Sequence, residues 1–116
     1  MKYLLLMYAD ELKVSQSPEE QRAAAPAWSA LSEEMKAAGV WLGSSGLSPI
    51  ADANTVRVRD GKIIITDGPF AETHEQLGGF FLVECQSLDE ALRWAAKIPT
   101  ATYGSVEVRP LWSRSS

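Results

Sequence analysis

The chain has 116 residues, 46% of them hydrophobic and 22% charged. That is enough for one domain burying about two-thirds of its unfolded surface, and it excludes disordered, collagenous and coiled-coil readings. Eleven basic against fifteen acidic residues give a net charge of −4, so nucleic acid is an unexpected partner unless basic groups cluster.

The closest such cluster is Arg57, Arg59 and Lys62, and Asp60 and Asp67 flank it. Alternation places the two arginines on one face of a strand. The single cysteine, Cys85, excludes an internal disulfide and a cysteine-rich zinc site. It lies in an apolar run, where it reads as a buried small hydrophobe in a reducing cytoplasm. The longest apolar run, Tyr3 to Ala9, is too short for a bilayer. It meets Asp10 and Glu11 without a small-residue cleavage site, so neither a membrane partner nor export is expected. A single domain over residues 1–112 with a polar, unanchored tail at 113–116 is the expected organisation.

Lys2 to Tyr8 reads as a central strand with Tyr3, Leu5 and Met7 on one face and Leu4, Leu6 and Tyr8 on the other. Ser17-Pro18-Glu19-Glu20 is a capping box with proline at the first helical position. Ala24, Trp28, Leu31, Met35 and Ala38 then form one helical stripe that ends at Gly39. Pro26 removes a helical donor, so a kink or break is expected at Ala24 to Pro26. Val40 to Leu47 reads as a loose edge strand. Thr55 to Arg59 and Lys62 to Thr66 form a hairpin about Asp60-Gly61. A loop through Asp67-Gly68-Pro69-Phe70 leads to a strand over Gly79 to Cys85 with bulky residues on both faces. Ser87-Leu88-Asp89-Glu90 caps a second helix whose Leu88, Leu92 and Ala95 are expected inward, and Pro99 ends it. Ser105 to Leu111 alternates as the last strand.

This order of elements predicts an α+β, ferredoxin-like split βαβ sandwich. Two helices cover one sheet face. The other face stays apolar, which predicts a homodimer joined through the sheet face.

Chemistry concentrates in Asp67 to Gly79, a segment with three carboxylates, one imidazole and three glycines between strands. Asp67, at a strand end, is the candidate acid or base, and His74 is a second candidate because imidazole titrates near neutrality. Tyr8, Arg57, Phe70, Glu72 and Arg109 are candidate ligand contacts, the arginines as bidentate clamps for an anionic group. Plain turn architecture, with Gly and Pro setting the torsions, accounts for the same loop residues. Surface pairing of the arginines with Glu107, Asp67 or Glu84 accounts for the guanidinium groups. Tyr8, Trp28, Trp41, Phe70, Phe80 and Phe81 line either a pocket or a core. One histidine with Glu72 or Glu75 is a poor metal set, and neither a metal nor another cofactor is expected. Gly43-Ser44-Ser45-Gly46 lacks the Gly-Lys-Ser/Thr of a phosphate loop. There is no Gly-x-Ser-x-Gly elbow, and Cys85 has no activating base nearby in sequence.

The opening Lys2 to Tyr8, Thr55-Val56-Arg57 with Asp60-Gly61, Asp67-Gly68-Pro69-Phe70-Ala71-Glu72-Thr73, Glu75 to Phe80 and Gly104 to Pro110 resemble the DGPF-motif branch of the YCII-related family over nearly the whole chain. The resemblance implies a dimeric α/β-barrel. It implies no established activity, although a few relatives in the wider family act on chlorinated aromatic compounds. The density of polar groups beside apolar strands in this segment places the expected cleft, with a small organic ligand, near the Asp67–Phe70 loop. A His–Asp pair suggested as catalytic elsewhere in the family aligns with Trp28 and Ile98, both apolar here. His74 does not replace that histidine, since relatives of this branch carry Lys there. The branch is also associated with extracytoplasmic-function sigma factors, so the resemblance implies an accessory or regulatory role as the alternative function.

Overall fold

The structure is a computed structural model and describes residues 1–14 and 17–112; the tail at 113–116 lies outside the described residues. β1 (Lys2–Ala9) runs between two antiparallel neighbours, β5 (Gln76–Glu84) and β6 (Ser105–Pro110). β2 (Trp41–Gly46) pairs with the far side of β5, giving the order β2-β5-β1-β6. Without the intervening hairpin these four strands and two helices follow a βαββαβ path in the ferredoxin-like order. The hairpin itself, β3 (Asn54–Arg59) and β4 (Lys62–Asp67), is a separate two-stranded sheet inserted between β2 and β5.

Alternation decides which face of β1 is buried. Tyr3, Leu5 and Met7 point to the helices with Phe81, Val83 and Cys85 of the β5 segment, and all six are buried. Leu4 and Leu6 lie opposite Leu82 and Phe80 on the other face, where each is only half-covered. No helix among the described residues covers that side.

α1 (Pro18–Ala37) starts at Ser17, whose Oγ accepts from the Glu20 N–H at 3.5 Å. Leu31 and Met35 enter the core and Trp28 packs partly against it, whereas the stripe's Ala24 and Ala38 are exposed. Pro26 does not break the helix: α1 runs through it. Residues 19–27 are exposed, so the carbonyl that loses its partner at Pro26 faces water rather than the core. Gly39, at φ +74°, follows the C-cap Ala38 and turns the chain toward β2.

α2 (Leu88–Ala96) is capped by Ser87, whose Oγ accepts from the Glu90 N–H at 3.2 Å. The glutamate carboxylate accepts from the N–H of Gln86, one residue before the cap. Its inward face is Ala91 and Ala95, continued by buried Ile98, while Leu88 and Leu92 are exposed. The expected leucine stripe is therefore displaced. The two alanines are small enough to let the helix backbone approach the sheet, and the leucines flank that contact. Cys85 is buried, as its apolar surroundings indicated, and burial pushes its thiol pKa up, with Glu90 adding to the shift.

In the hairpin, Asp60 (φ +53°) and Gly61 (φ +75°) both lie in the left-handed region, the pattern of a two-residue hairpin turn. Its pairs alternate cleanly. Val56 opposite Ile65 and Val58 opposite Ile63 share one face; Arg57 opposite Ile64 and Arg59 opposite Lys62 share the other. Nearly every side chain on both faces is exposed.

Candidate functional site

A cleft of about 520 Å³ opens between α1 and the helix-facing side of the sheet. Three strand ends build it. The end of β1 contributes Met7 and Ala9, and Glu11 follows. β2 contributes Ser44 to Gly46, and the start of β5 contributes Gln76, Gly78 and the phenylalanines. α1 closes the wall with Gln21, Trp28 and Ser32, and Thr100 and Tyr103 come from the 3-10 turn Pro99–Thr102 and its end. Trp28 stacks on Phe81 with ring centroids 6.5 Å apart and planes 12° apart, so the wall is aromatic at its centre. A second hollow, of about 660 Å³, continues along α1 and shares Val14, Gln21, Trp28 and Tyr103 with the first.

Two glycines make this geometry. A Cβ at Gly79 would lie 2.8 Å from the Ser45 carbonyl oxygen and 2.7 Å from Met7 Cε. A bare backbone is therefore what lets edge strand β2 and Met7 close together at the cleft floor. A Cβ at Gly104 would lie 2.2 Å from the Tyr8 carbonyl oxygen, where β6 enters beside β1.

Polar groups are few and held. Glu11 is the sole carboxylate of the first cleft's described wall. It accepts from the Ile50 N–H at 3.1 and 3.4 Å, which fixes its direction. Gln76 bridges two segments: its Oε1 accepts from the Glu11 N–H at 2.9 Å, and its Nε2 donates to the Thr73 carbonyl. Such a wall, mainly apolar with a few oriented polar groups, suits a small organic molecule.

None of the seven residues singled out in the sequence lines this cleft. Asp67 ends β4 opposite Asn54, exposed, at the base of the hairpin. Arg57 and Phe70 do come together, because the guanidinium donates to the Phe70 carbonyl at 3.3 Å, yet both are exposed. The loop is anchored there: the Gly68 N–H donates to the Ala53 carbonyl at 2.7 Å, and Thr55 Oγ1 donates to the Gly68 carbonyl at 2.9 Å. Gly68, at φ +98°, supplies the torsion. Glu72 and His74 are exposed on the same loop. Tyr8 and Arg109 meet on the open sheet face through Glu107, with Tyr8 donating at 3.4 Å and Arg109 at 2.7 Å. That carboxylate holds the Arg109 guanidinium above its ordinary pKa. The arginine clamp is thus engaged within its own sheet.

The cleft expected near the Asp67–Phe70 loop is displaced along the same segment. Only its far end, Gln76 and Gly78, reaches the cleft wall, because the loop's first half turns back over the hairpin base. Of six aromatic residues considered for a pocket, Trp28 and Phe81 line it from the helix-facing side and Phe80, which alternates to the open face, borders it, while Tyr8, Trp41 and Phe70 do not. Glu11 was overlooked. Its signal was its place just beyond a central strand, the same logic that singled out Asp67. Among the described residues no three of His, Cys, Asp or Glu are grouped to hold a metal ion. No described helix is long and apolar enough to cross a membrane.

The chain is 44% identical over 114 residues to an uncharacterized protein of Rhizobium meliloti, an alignment covering 96% of this chain and 92% of that protein. Its fold is similar to that of 5-chloro-2-hydroxyhydroquinone dehydrochlorinase from Burkholderia phenoliruptrix, solved as a complex with 2,5-dihydroxybenzoquinone. The TM-score is 0.53 at 16% identity, over 99% of this chain and 96% of that one. The profile of the YCII-related domain matches residues 1–114, and the chain belongs to that family.

Proposed function

We propose that this protein binds a small, planar organic molecule in the cleft between α1 and the sheet, and that it works as a homodimer joined through the open sheet face. The cleft itself carries the first half of the reading. Its volume of about 520 Å³ falls in the range of small-molecule sites, and its wall pairs aromatic surface with oriented polar groups. The similar fold solved with a dihydroxybenzoquinone adds support for a hydroxylated aromatic as the ligand class. Trp28 occupies the position at which the resemblance puts a histidine. In this chain an aromatic plate therefore takes the place of a titrating group, which favours binding by stacking. Acid or base chemistry, where it occurs, falls to Glu11, while Asp67 stands apart on the hairpin base.

The open face supports the dimer. Leu4, Leu6, Phe80 and Leu82 form an apolar surface rimmed by Glu84, Glu107 and Arg109, and no helix among the described residues covers it.

A thermal-shift screen against phenols, hydroxyquinones (2,5-dihydroxybenzoquinone among them) and small carboxylic acids tests the ligand reading. Stabilisation by a hydroxylated aromatic that is lost in Trp28→Ala and kept in Asp67→Asn is the expected result. A shift lost in Asp67→Asn and kept in Trp28→Ala would return the site to the loop. A screen with no shift at all overturns the ligand reading in favour of a protein partner such as a sigma factor.

A further inference from the structure

The inserted hairpin is the least explained part of the molecule. Neither of its strands pairs with the four-stranded sheet. A lone two-stranded hairpin is marginal in water unless something covers it. Its apolar face is made by Val56, Val58, Ile63 and Ile65, each between 58% and 71% exposed. No charged residue interrupts that face between the turn and the base, while Arg57, Arg59 and Lys62 all lie on the opposite face. One side of the hairpin is thus built for burial and the other for water.

The molecule's dimensions say how much must be covered. The chain exposes 8174 Å², whereas a compact chain of this mass exposes about 6,200 Å². Its radius of gyration is 16.3 Å, against about 13 Å for a compact chain of this length. It measures 48 × 47 × 19 Å, so the hairpin and sheet lie in one thin slab. The excess of about 2,000 Å² per chain amounts to roughly 4,000 Å² for two, within the range of obligate homodimers. The leucines and Phe80 of the open sheet face are half-buried within the chain, whereas the four apolar side chains of the hairpin stand bare and add to the surface a second copy can cover.

We infer that the β3–β4 hairpin is a dimerisation arm, whose Val56/Val58/Ile63/Ile65 face packs on a second copy of this chain and leaves Arg57, Arg59 and Lys62 in solvent. This rests on the homodimer reading above and adds a second contact region to it. The Asp67–Phe70 loop then serves as the arm's hinge-side anchor, through Thr55, Gly68 and the Arg57–Phe70 bond.

Sedimentation equilibrium on the full chain, with hydrogen exchange at residues 55–66, tests it. Ile63→Lys combined with Ile65→Lys should raise the dimer dissociation constant by about 100-fold or more, as loss of a central apolar contact does. Arg59→Glu, on the solvent face, should leave it within about threefold. Amides of the arm should be protected in the wild-type dimer and should lose that protection in the lysine pair. A wild-type dimer whose affinity the lysine pair leaves unchanged, or whose arm amides exchange freely, overturns the arm while the sheet-face dimer stands. Arm protection that persists unchanged in the lysine pair overturns it too. A wild-type chain that is monomeric at roughly 100 µM overturns both readings.

Discussion

Two parts of this molecule offer apolar strand faces and meet opposite fates. β1 and β5 carry bulky apolar residues on both faces, and Leu5 and Val83 are fully buried. β3 and β4 alternate to give one apolar face, yet Ile63 is 71% exposed. The difference lies in what each strand is offered as cover. β1 and β5 are each followed in the chain by a helix that packs on the sheet, while the hairpin leaves the sheet at β2 and returns at β5 with neither strand paired to it among the described residues. Period-two alternation reports that one face of a strand is apolar, and it is silent about what supplies the covering layer.

The contrast breaks most visibly under truncation. Leu5→Ala should cost about 2–5 kcal/mol of unfolding free energy, because the rigid core collapses only partly around the cavity. Ile63→Ala in the monomeric chain should stay within about 0.5 kcal/mol. Urea denaturation of the two variants in dilute solution measures both; equal losses would mean that the hairpin is packed within its own chain.

Gly104→Ala should come next, at about 1–3 kcal/mol, since the new methyl group meets the Tyr8 carbonyl oxygen at 2.2 Å and the strand entry must shift. Gly61→Ala in the hairpin turn, which has open space but φ +75°, should cost about 1 kcal/mol from backbone strain alone. Thermal melts of the pair separate crowding from strain, and a smaller loss at Gly104 than at Gly61 would contradict the close approach of β6 to β1.

A smaller effect depends on pH. Burial and Glu90 raise the folded pKa of Cys85 above its ordinary value of 9.0. The unfolded chain therefore releases this proton at lower pH than the folded chain does. The corresponding stability is fully present below pH 9.0 and is lost as pH rises through the folded value, by at most about 1.4 kcal/mol per pH unit. Stability profiles from pH 8 to 10.5 should fall less steeply in Cys85→Ala than in the wild type, and parallel profiles would show that the thiol titrates alike in both states.

Local signals in the sequence were legible where the physics is local. Both serine caps, the Asp60-Gly61 turn and the one-sided cover of the sheet follow from capping chemistry, left-handed torsions and the count of helices. α2 was harder, because Leu88 and Leu92 look like an inward stripe while the actual contact uses Ala91 and Ala95, whose smallness matters only once the sheet is present. Pro26 was harder still: its cost depends on whether the orphaned carbonyl faces water. The cleft was legible only in pieces. Trp28 and Phe81 were recognisable as aromatic residues, but the strand register and two close glycine contacts bring them to one wall with Glu11 and Gln76. The density of polar residues at Asp67 to Glu75 drew attention to a segment whose first half anchors the hairpin and whose last residues alone reach the cleft.

The most direct measurement is a titration of the isotopically labelled protein with the most stabilising compound from the thermal-shift screen, followed by amide and indole NMR shifts. The cleft reading predicts saturable changes at Trp28, Ser44 to Gly46 and Gln76 to Gly78, with Asp67 to His74 and the hairpin strands unmoved. Saturable changes centred on Asp67 to His74, with a silent Trp28 indole, would contradict it.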